Sequence, residues 1–208
     1  MDPLLKVENL TEIHGPGCSD CLNQTGPEFG RNRYPKCGSI VACANITFEV
    51  MSGEILGVVG ESGSGKSTIV QCLYFDLDPT NGEAYMDSYR QANVLLASNQ
   101  DKRLLRNFNL GMVCQNSQRD LYLDISSGGN IAEKLLAASW RHVGIIRGQA
   151  SNLLERTEVP LDRMDEVPCL FVGRKNKGAW HNGFQLGLPD TFPKTRHQVI
   201  ALRPPFGN

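Results

Sequence analysis

The sequence predicts a single α/β domain, and three neighbouring stretches lead to this prediction. Ile55-Leu56-Gly57-Val58-Val59 is a short apolar run rich in β-branched residues, typical of a strand that is buried on both faces. A glycine-rich segment, residues 60–67, follows it, and apolar residues at helical spacing begin after Lys66. A chain of 208 residues with 40% hydrophobic residues can bury one core of this size, whereas two full domains are not expected.

The glycine-rich segment matches the phosphate-binding pattern G-x-x-x-x-G-K-[ST] at every fixed position. It reads Gly60-Glu61-Ser62-Gly63-Ser64-Gly65-Lys66-Ser67. Its glycines allow positive φ, so successive N–H groups can turn inward around a triphosphate. The pattern predicts that Lys66 reaches the β- and γ-phosphates and that Ser67 places its hydroxyl on Mg²⁺. The alternative, a glycine-rich turn without a ligand, is disfavoured because a strand and a helix are predicted on either side.

Composition and charge exclude several classes of partner. The formal net charge is -1, which gives no overall attraction to nucleic acid or to an anionic membrane. This charge is unevenly placed, because residues 172–208 contain six Lys and Arg residues and only Asp190 as an acid. No apolar run approaches the ~20 residues of a membrane span, and the start does not resemble a secretion signal, so we expect a cytoplasmic protein. Seven cysteines, an odd number, then favour free thiols or metal ligands over disulfides.

Periodicity predicts the remaining elements in chain order. Asn130 is the predicted cap of the third helix, with Glu133 at its third position, and Pro160 stops the fourth. We predict strands over residues 4–10, 44–50, 55–59, 84–86 and 110–114, and helices over residues 66–77, 101–108, 131–138 and 147–158.

Two polar side chains are candidates for contact with a bound nucleotide. His14, predicted in a loop before Gly15-Pro16-Gly17, could stack on a base, or it could be an ordinary solvated loop residue. Gln115 follows the predicted strand 110–114, and the carboxyl ends of strands in an open parallel sheet are where ligands bind. Gln115 could therefore coordinate Mg²⁺ or position a water molecule. The alternative interpretation is that Gln115 is an ordinary loop residue whose amide has no role in binding.

Residues 18–43 contain four of the seven cysteines between turn-forming residues. Cys18 and Cys21 form a C-x-x-C pair, which can supply two ligands of a tetrahedral Zn²⁺ site from one tight turn. Cys37 and Cys43 are the other predicted ligands, although a regular second pair would have a cysteine where Tyr34 stands. The alternative is a loop of free thiols without metal.

These parts together resemble the nucleotide-binding domain of ABC-type ATPases. The stretch Gly60 to Thr68 resembles the phosphate loop of the peptide-transporter branch. The cysteine loop and residues 127–135 and 159–168 resemble the ATP-binding subunits of carbon–phosphorus lyase systems for phosphonate use. The resemblance covers roughly residues 4–171, with 18–43 as a small cysteine-rich insertion and 116–168 as a helical segment. It implies an incomplete ABC-type domain of the P-loop NTPase class over residues 1–171, followed by a divergent, poorly structured tail over 172–208.

The resemblance implies a role for each matching residue. Gln115 is in the position of the Q-loop residue, His14 is in the position of the aromatic residue that stacks on adenine, and Tyr34 is in the position of a zinc-loop cysteine. ATP and Mg²⁺ are the implied ligands. The implied partners are a second nucleotide-binding domain and the other subunits of a phosphonate-processing or transport complex. The cofactor-binding residues implied are His14, Gly60, Glu61, Ser62, Gly63, Ser64, Gly65, Lys66, Ser67 and Thr68.

The chain departs from the family pattern after residue 171. The family reads Ser-Gly-Gly-x-Gln where this chain reads Val172-Gly173-Arg174-Lys175-Asn176, and no later apolar stretch ends in Asp-Glu. His197 lacks the strand that precedes the family's switch histidine. Without carboxylates to hold Mg²⁺ and orient water, we expect ATP binding with little or no turnover by this chain alone. The sheet is expected not to continue past 171, which would leave the strand 55–59 short of a neighbour.

Two other functions remain open at this point. One is a different P-loop enzyme, although guanine recognition by Asn-Lys-x-Asp is disfavoured because Asn176-Lys177-Gly178-Ala179 lacks the aspartate. The other is a non-catalytic, nucleotide- and metal-binding assembly protein. The affinity for nucleotide with and without Mg²⁺ separates the assembly protein from the two enzymes.

Overall fold

The computed structural model describes residues 2–89, 92–113, 121–157, 159–168 and 199–202. These residues divide into two compact units, the first ending at Arg103 and the second beginning at Leu104. None of the helices described is both long and apolar enough to cross a lipid bilayer. The strands are β1 (Leu5–His14), β2 (Ile40–Val50), β3 (Asn81–Met86), β4 (Leu110–Val113) and β5 (Val199–Leu202), and the α-helices are α1 (Lys66–Leu73), α2 (Asn99–Phe108), α3 (Ser127–Ala137) and α4 (Val143–Arg156).

The first unit contains a three-stranded antiparallel sheet in the order β2-β1-β3. Apolar residues of β1 such as Leu5, Val7 and Leu10 are buried, as predicted. The alternation is interrupted because the register shifts between Val7 and Leu10, where Asn9 adopts a left-handed φ of 53°. Asparagine tolerates this conformation better than most residues, so the bulge explains the irregular pattern in the sequence.

Strand β1 continues beyond its predicted end and β2 begins before its predicted start, which corrects the placement of His14. It is the last residue of β1 and pairs with Ile40, the first residue of β2, rather than lying in the following loop. The loop begins at Gly15, whose φ of 118° favours glycine. The cysteine-rich insertion therefore connects two paired strands, and its ends are held by their ladder.

The prediction of a strand over residues 55–59 is wrong, and all five residues are among those that the structure describes. The segment has no strand assignment, and its side chains are exposed, with Ile55 at 64% and Val59 at 96%. An apolar run becomes a buried strand only when neighbouring strands satisfy its backbone groups. The three strands of this unit pair with one another, and none pairs with 55–59.

Helix α1 begins at Lys66 as predicted and buries Ile69, Cys72 and Leu73. It ends at Leu73, four residues before the predicted end, and Phe75 follows with a left-handed φ of 63°. Burial of Cys72 raises the pKa of its thiol to about 12, with smaller contributions from Cys43, Glu12 and Asp78. This helix packs its apolar face inward and so holds the preceding loop against the sheet.

The second unit contains the helix pair α3 and α4. Their shared core consists of Ile131, Ala150, Leu154, Val159 and Met164. The predicted Asn130 cap is wrong, because Ser126 caps α3 by accepting a hydrogen bond from the Gly129 N–H at 3.2 Å. Helix α4 begins at Val143, four residues before the predicted start, and its cap is the side chain of His142.

Asn130 instead ties the preceding loop to α3. Its amide nitrogen lies 3.0 Å from the carbonyl oxygens of Tyr122 and Ile125 and 3.1 Å from that of Ser126, so its two N–H donors are shared among these acceptors. Its amide oxygen accepts from the Tyr122 N–H at 2.8 Å. Because this oxygen is bound to the loop and Asn130 lies inside α3, its side chain does not cap the helix.

Strand β4 was predicted over residues 110–114 and is present over Leu110–Val113. It pairs with β5 in antiparallel orientation, with Leu110 opposite Leu202 and Val113 opposite Val199. The predicted parallel sheet is therefore not seen among the described residues, in which every strand pair is antiparallel. Four residues of the predicted tail form β5, so the expectation that no strand follows residue 171 is wrong for Val199–Leu202. Residues 172–198 and 203–208 lie outside the described residues.

Candidate nucleotide-binding site

The loop between residues 60 and 67 holds two left-handed glycines immediately before α1. Gly63 has φ 84° and Gly65 has φ 86°. Gly65 is the N-cap of α1 and offers no side chain to cap it, so the first-turn N–H groups are left for a ligand. The positive end of the helix dipole lies at the same place, which favours an anion.

Gly65 also approaches the backbone of β2 too closely for any other residue. A Cβ atom built at Gly65 would lie 2.0 Å from the carbonyl oxygen of Ala42 and 2.9 Å from its carbonyl carbon. A Cβ at Gly63, by contrast, would meet no atom within 4 Å. The third glycine of the pattern is therefore the one that docks the loop on the sheet.

The ammonium group of Lys66 lies inside the loop. Its Nζ donates to the carbonyl oxygens of Gly60 at 2.7 Å and Glu61 at 2.6 Å, and to Ser64 Oγ at 3.2 Å. These are short, charge-assisted bonds. A phosphate bound in the loop would replace these oxygen atoms as the acceptor of the Lys66 N–H groups. The positive charge of Lys66 would then lie next to the negative charge of the phosphate.

An open cavity of about 220 Å³ lies over this loop. The predicted residues Lys66, Ser67 and Thr68 line it together with His14. Sequence reasoning missed the wall formed by the cysteine-rich loop and β2. The full lining is His14, Asn32, Ile40, Ala42 and Gly63 to Thr68.

Ile40 and Ala42 were missed because the predicted strand began at residue 44, whereas β2 begins at Ile40. They are two residues apart in β2 and so lie on one face, the face that Gly65 contacts. No sequence pattern predicts that Asn32 lies near the nucleotide cavity. It reaches the cavity because the insertion folds back on β2, where the Val41 N–H donates to the Asn32 carbonyl oxygen at 2.9 Å.

His14 is held by a buried carboxylate that the sequence did not reveal. Its Nδ1 lies 3.3 Å from Oε1 of Glu12, which is only 5% exposed. Oε2 of Glu12 accepts from the N–H of Thr80 at 2.8 Å and from its hydroxyl at 3.1 Å. Once β1 is known to extend to His14, the spacing of two residues places Glu12 on the same face. The network fixes the imidazole at the cavity edge.

Three of the four predicted zinc ligands come together. The sulfur atoms of Cys18, Cys21 and Cys37 all lie within 4.8 Å of one another. Cys43 does not join them, which corrects the four-cysteine site. Cys43 is buried inside β2 near the thiol of Cys72, and this burial raises the pKa of the Cys43 thiol.

Two predictions concern positions outside that cluster. Gln115 lies outside the described residues, as does His197, so the structure does not place them. Tyr34, in the position implied for a zinc-loop cysteine, is 2% exposed, and its hydroxyl has no hydrogen-bond partner among the residues described. Its buried ring belongs to the interior of the cysteine-rich insertion itself.

The loop, the helix and the cavity define a nucleotide-binding domain of the P-loop class. Residues 43–170, more than half of the chain, match the family model described as ABC transporter. The chain belongs to this family, and the α/β P-loop fold implied by the resemblance is confirmed. Proteins of the family bind ATP with Mg²⁺.

Among curated proteins, the chain is similar to the putative phosphonates utilization ATP-binding protein PhnK of Escherichia coli (strain K12). The two are 34% identical over 171 residues, which cover 82% of this chain and 58% of PhnK. It is also 35% identical over 114 residues to the trimethylamine N-oxide transport system ATP-binding protein TmoW of Pelagibacter ubique (strain HTCC1062), covering 55% of this chain and 33% of TmoW. Other relatives are methionine import and dipeptide transport ATP-binding proteins.

Solved structures agree on the fold. The dimeric structure of MJ0796, a bacterial ABC transporter cassette, matches with a TM-score of 0.61 at 21% identity, covering 85% of this chain and 65% of that chain. The dimeric post-hydrolysis state of MJ0796 bound to ADP and Pi matches with a TM-score of 0.60 over the same shares. The chain thus spans less than two thirds of the length of both PhnK and MJ0796.

Proposed function

We propose that this chain is an ATP-binding subunit of an ABC-type system for phosphonate use. The observation that carries the proposal is the position of Lys66, whose ammonium group lies inside a loop closed by Gly60 and Glu61. The site fits a bound phosphate chain, because Gly65 docks the loop on β2 and the uncapped start of α1 leaves N–H groups for an anion.

The proposal assigns roles to the phosphate loop, to Gln115 and to His14. The N–H groups of residues 60–68 and the ammonium of Lys66 bind the phosphates, and Ser67 with Gln115 holds Mg²⁺. The base lies against His14, whose ring is oriented by Glu12. Magnesium neutralises phosphate charge when it is bound, and the chain's own contribution is to position the phosphates and exclude freely mobile water.

Binding without turnover by the isolated chain is part of the proposal. It rests on the sequence Val172-Gly173-Arg174 in place of the family signature and on the lack of an apolar stretch that ends in Asp-Glu. Binding energy then acts through association with partners, of which a second nucleotide-binding domain is the first candidate. Such a subunit works on the cytoplasmic side of a membrane complex or within a soluble lyase assembly.

Phosphonate use is favoured over other substrates because the similarity to PhnK extends over 82% of this chain, against 55% for TmoW. The test is growth with methylphosphonate as sole phosphorus source, in a bacterial strain whose PhnK gene is deleted and which expresses this chain. Growth that depends on Lys66 supports the assignment. Absence of growth while the chain is expressed and binds ATP contradicts replacement of PhnK by ATP binding alone, and leaves the nucleotide site intact.

ATP binding itself is tested by calorimetry on the full chain with and without Mg²⁺. We expect Lys66→Ala to weaken ATP by about 30- to 150-fold, because a charge-assisted contact to phosphate contributes on the order of 2 to 3 kcal/mol. Lys6→Ala is the matched control, since it removes one positive charge from the same unit outside the cavity. Equal affinity of wild type and Lys66→Ala would show that the loop is not the site. Binding indifferent to Mg²⁺ would favour a non-catalytic assembly protein.

A further inference from the structure

Three thiols of the cysteine-rich insertion converge from two separate turns. The first turn carries Cys18 and Cys21, where the Cys21 N–H donates to the Cys18 carbonyl oxygen at 3.4 Å and the Cys18 N–H points to Cys21 Sγ at 3.5 Å. The second turn carries Cys37 and is closed by the Gly38 N–H, which donates to the Tyr34 carbonyl oxygen at 2.8 Å. Backbone bonds thus hold each thiol in place.

The spacing of the sulfur atoms suits a single metal ion. Zinc–sulfur bonds of about 2.3 Å in tetrahedral geometry place sulfur atoms ~3.8 Å apart. Cys18 Sγ and Cys37 Sγ are 3.5 Å apart, and all three sulfurs lie within 4.8 Å. A disulfide between Cys18 and Cys37 would need a separation of about 2.05 Å and would leave the third thiol unused.

We propose that Cys18, Cys21 and Cys37 bind one thiophilic divalent ion of the Zn²⁺ class, with the fourth coordination position open. In the described part of the chain no other cysteine, histidine or carboxylate joins the group. Cys21 is buried, Cys37 is half-buried and Cys18 is exposed, so the open position faces solvent on the Cys18 side. Water or a small thiol is the ligand that this opening admits.

The site differs from a closed four-cysteine site in which Cys43 takes part. Cys43 is fixed within β2 by its pairing with Glu12 in β1. Moving its sulfur to the cluster would break this ladder. The metal would instead join the two turns of the insertion and hold it as a folded unit.

The insertion lies beside the nucleotide cavity, because Ser39 Oγ accepts from the Gly17 N–H at 3.0 Å and Asn32 lines the cavity. The proposed metal site does not depend on nucleotide binding. We expect Lys66→Ala to keep the metal, so a failure of the nucleotide site and a failure of the metal site can be told apart.

The test is metal analysis of the full chain, purified under reducing conditions without chelator. We expect one Zn²⁺ per chain, and Co²⁺ in its place should show an intense thiolate-to-cobalt charge-transfer band. Cys18→Ser and Cys37→Ser should each abolish stoichiometric binding. Cys43→Ser and Cys72→Ser are the matched controls, and they should retain it. Circular dichroism establishes that each variant is folded, and the exposed Cys18 is the position at which serine perturbs folding least.

Three results would overturn the proposal. The first is less than about 0.2 metal ions per folded wild-type chain. The second is full metal binding by Cys18→Ser and Cys37→Ser. The third is loss of metal from a folded Cys43→Ser variant, which would restore the four-cysteine site.

Discussion

The contact between Gly65 and Ala42 makes a sharp prediction about which glycine the phosphate loop needs. Gly63 and Gly65 have nearly equal φ, 84° and 86°, so alanine at either position adopts the left-handed region at a cost of about 1–2 kcal/mol. Only at Gly65 does the added methyl group collide with backbone, at 2.0 Å from the Ala42 carbonyl oxygen. Side-chain rotation cannot relieve a backbone clash, so the loop must move away from β2.

We therefore expect the two substitutions to differ in their effect on ATP. Strain alone in Gly63→Ala weakens binding by at most about 5- to 30-fold, the equivalent of 1–2 kcal/mol. Displacement of the loop in Gly65→Ala adds the loss of a charge-assisted phosphate contact, which brings the total loss above about 100-fold.

The assay is calorimetric titration of ATP into each variant, with thermal unfolding to establish that both are folded. Equal losses in the two variants would show that the clash with Ala42 has no consequence for ATP binding. Affinity of Gly65→Ala equal to that of wild type would show that the docking of the loop on β2 is irrelevant to binding.

Three further predictions concern stability. Leu154 is fully buried in the core shared by α3 and α4. Leu154→Ala should therefore lower the free energy of unfolding of the second unit by about 2–5 kcal/mol, measured by urea titration. A change below about 1 kcal/mol would mean that this core is not packed as described. Tyr34→Phe removes a buried hydroxyl without a partner among the described residues, so it should leave the melting temperature unchanged or raise it, and a lower value would reveal a hidden hydrogen bond. The Arg147 guanidinium holds the pKa of Asp165 below its usual value through two hydrogen bonds. Since this pKa is lower in the folded state than in the unfolded chain, the ion pair stabilises the fold above the ordinary carboxyl pKa and loses this effect as pH falls below about 4. Asp165→Asn should therefore have a lower melting temperature than wild type at pH 7 but not in acid. A difference in melting temperature that does not change with pH would exclude the ion pair as its cause.

Local sequence was sufficient for the elements whose determinants are local. The glycine pattern placed the loop and the start of α1, and alternation placed β1, β2 and β3 to within a few residues. Helix ends were less accurate, because several polar residues near an end can serve as caps. Ser126 and Asn130 are both good caps by propensity, and only the bonds from Asn130 to the preceding loop show which one acts.

The cysteine site shows where spacing alone misleads. The spacing predicted both Cys37 and Cys43 as ligands beside the Cys18 and Cys21 pair, since four cysteines complete a tetrahedral site. The extension of β2 to Ile40 removes Cys43 from this set by fixing it in a paired strand. Gln115, outside the described residues, stays a prediction.

By itself, the sequence determined the phosphate loop, because the loop's chemistry depends on glycines, Lys66 and Ser67 at fixed spacing. It also determined the family, through motifs that carry the same chemistry. Tertiary structure alone decided the setting of His14 against buried Glu12, because the distant Thr80 holds that carboxylate, and the convergence of three thiols, because Cys37 comes from a separate turn. It likewise decided the exposure of residues 55–59. An apolar run has only a tendency to be buried, because a neighbouring strand must supply the hydrogen bonds that make burial possible, and none of the described strands pairs with this segment.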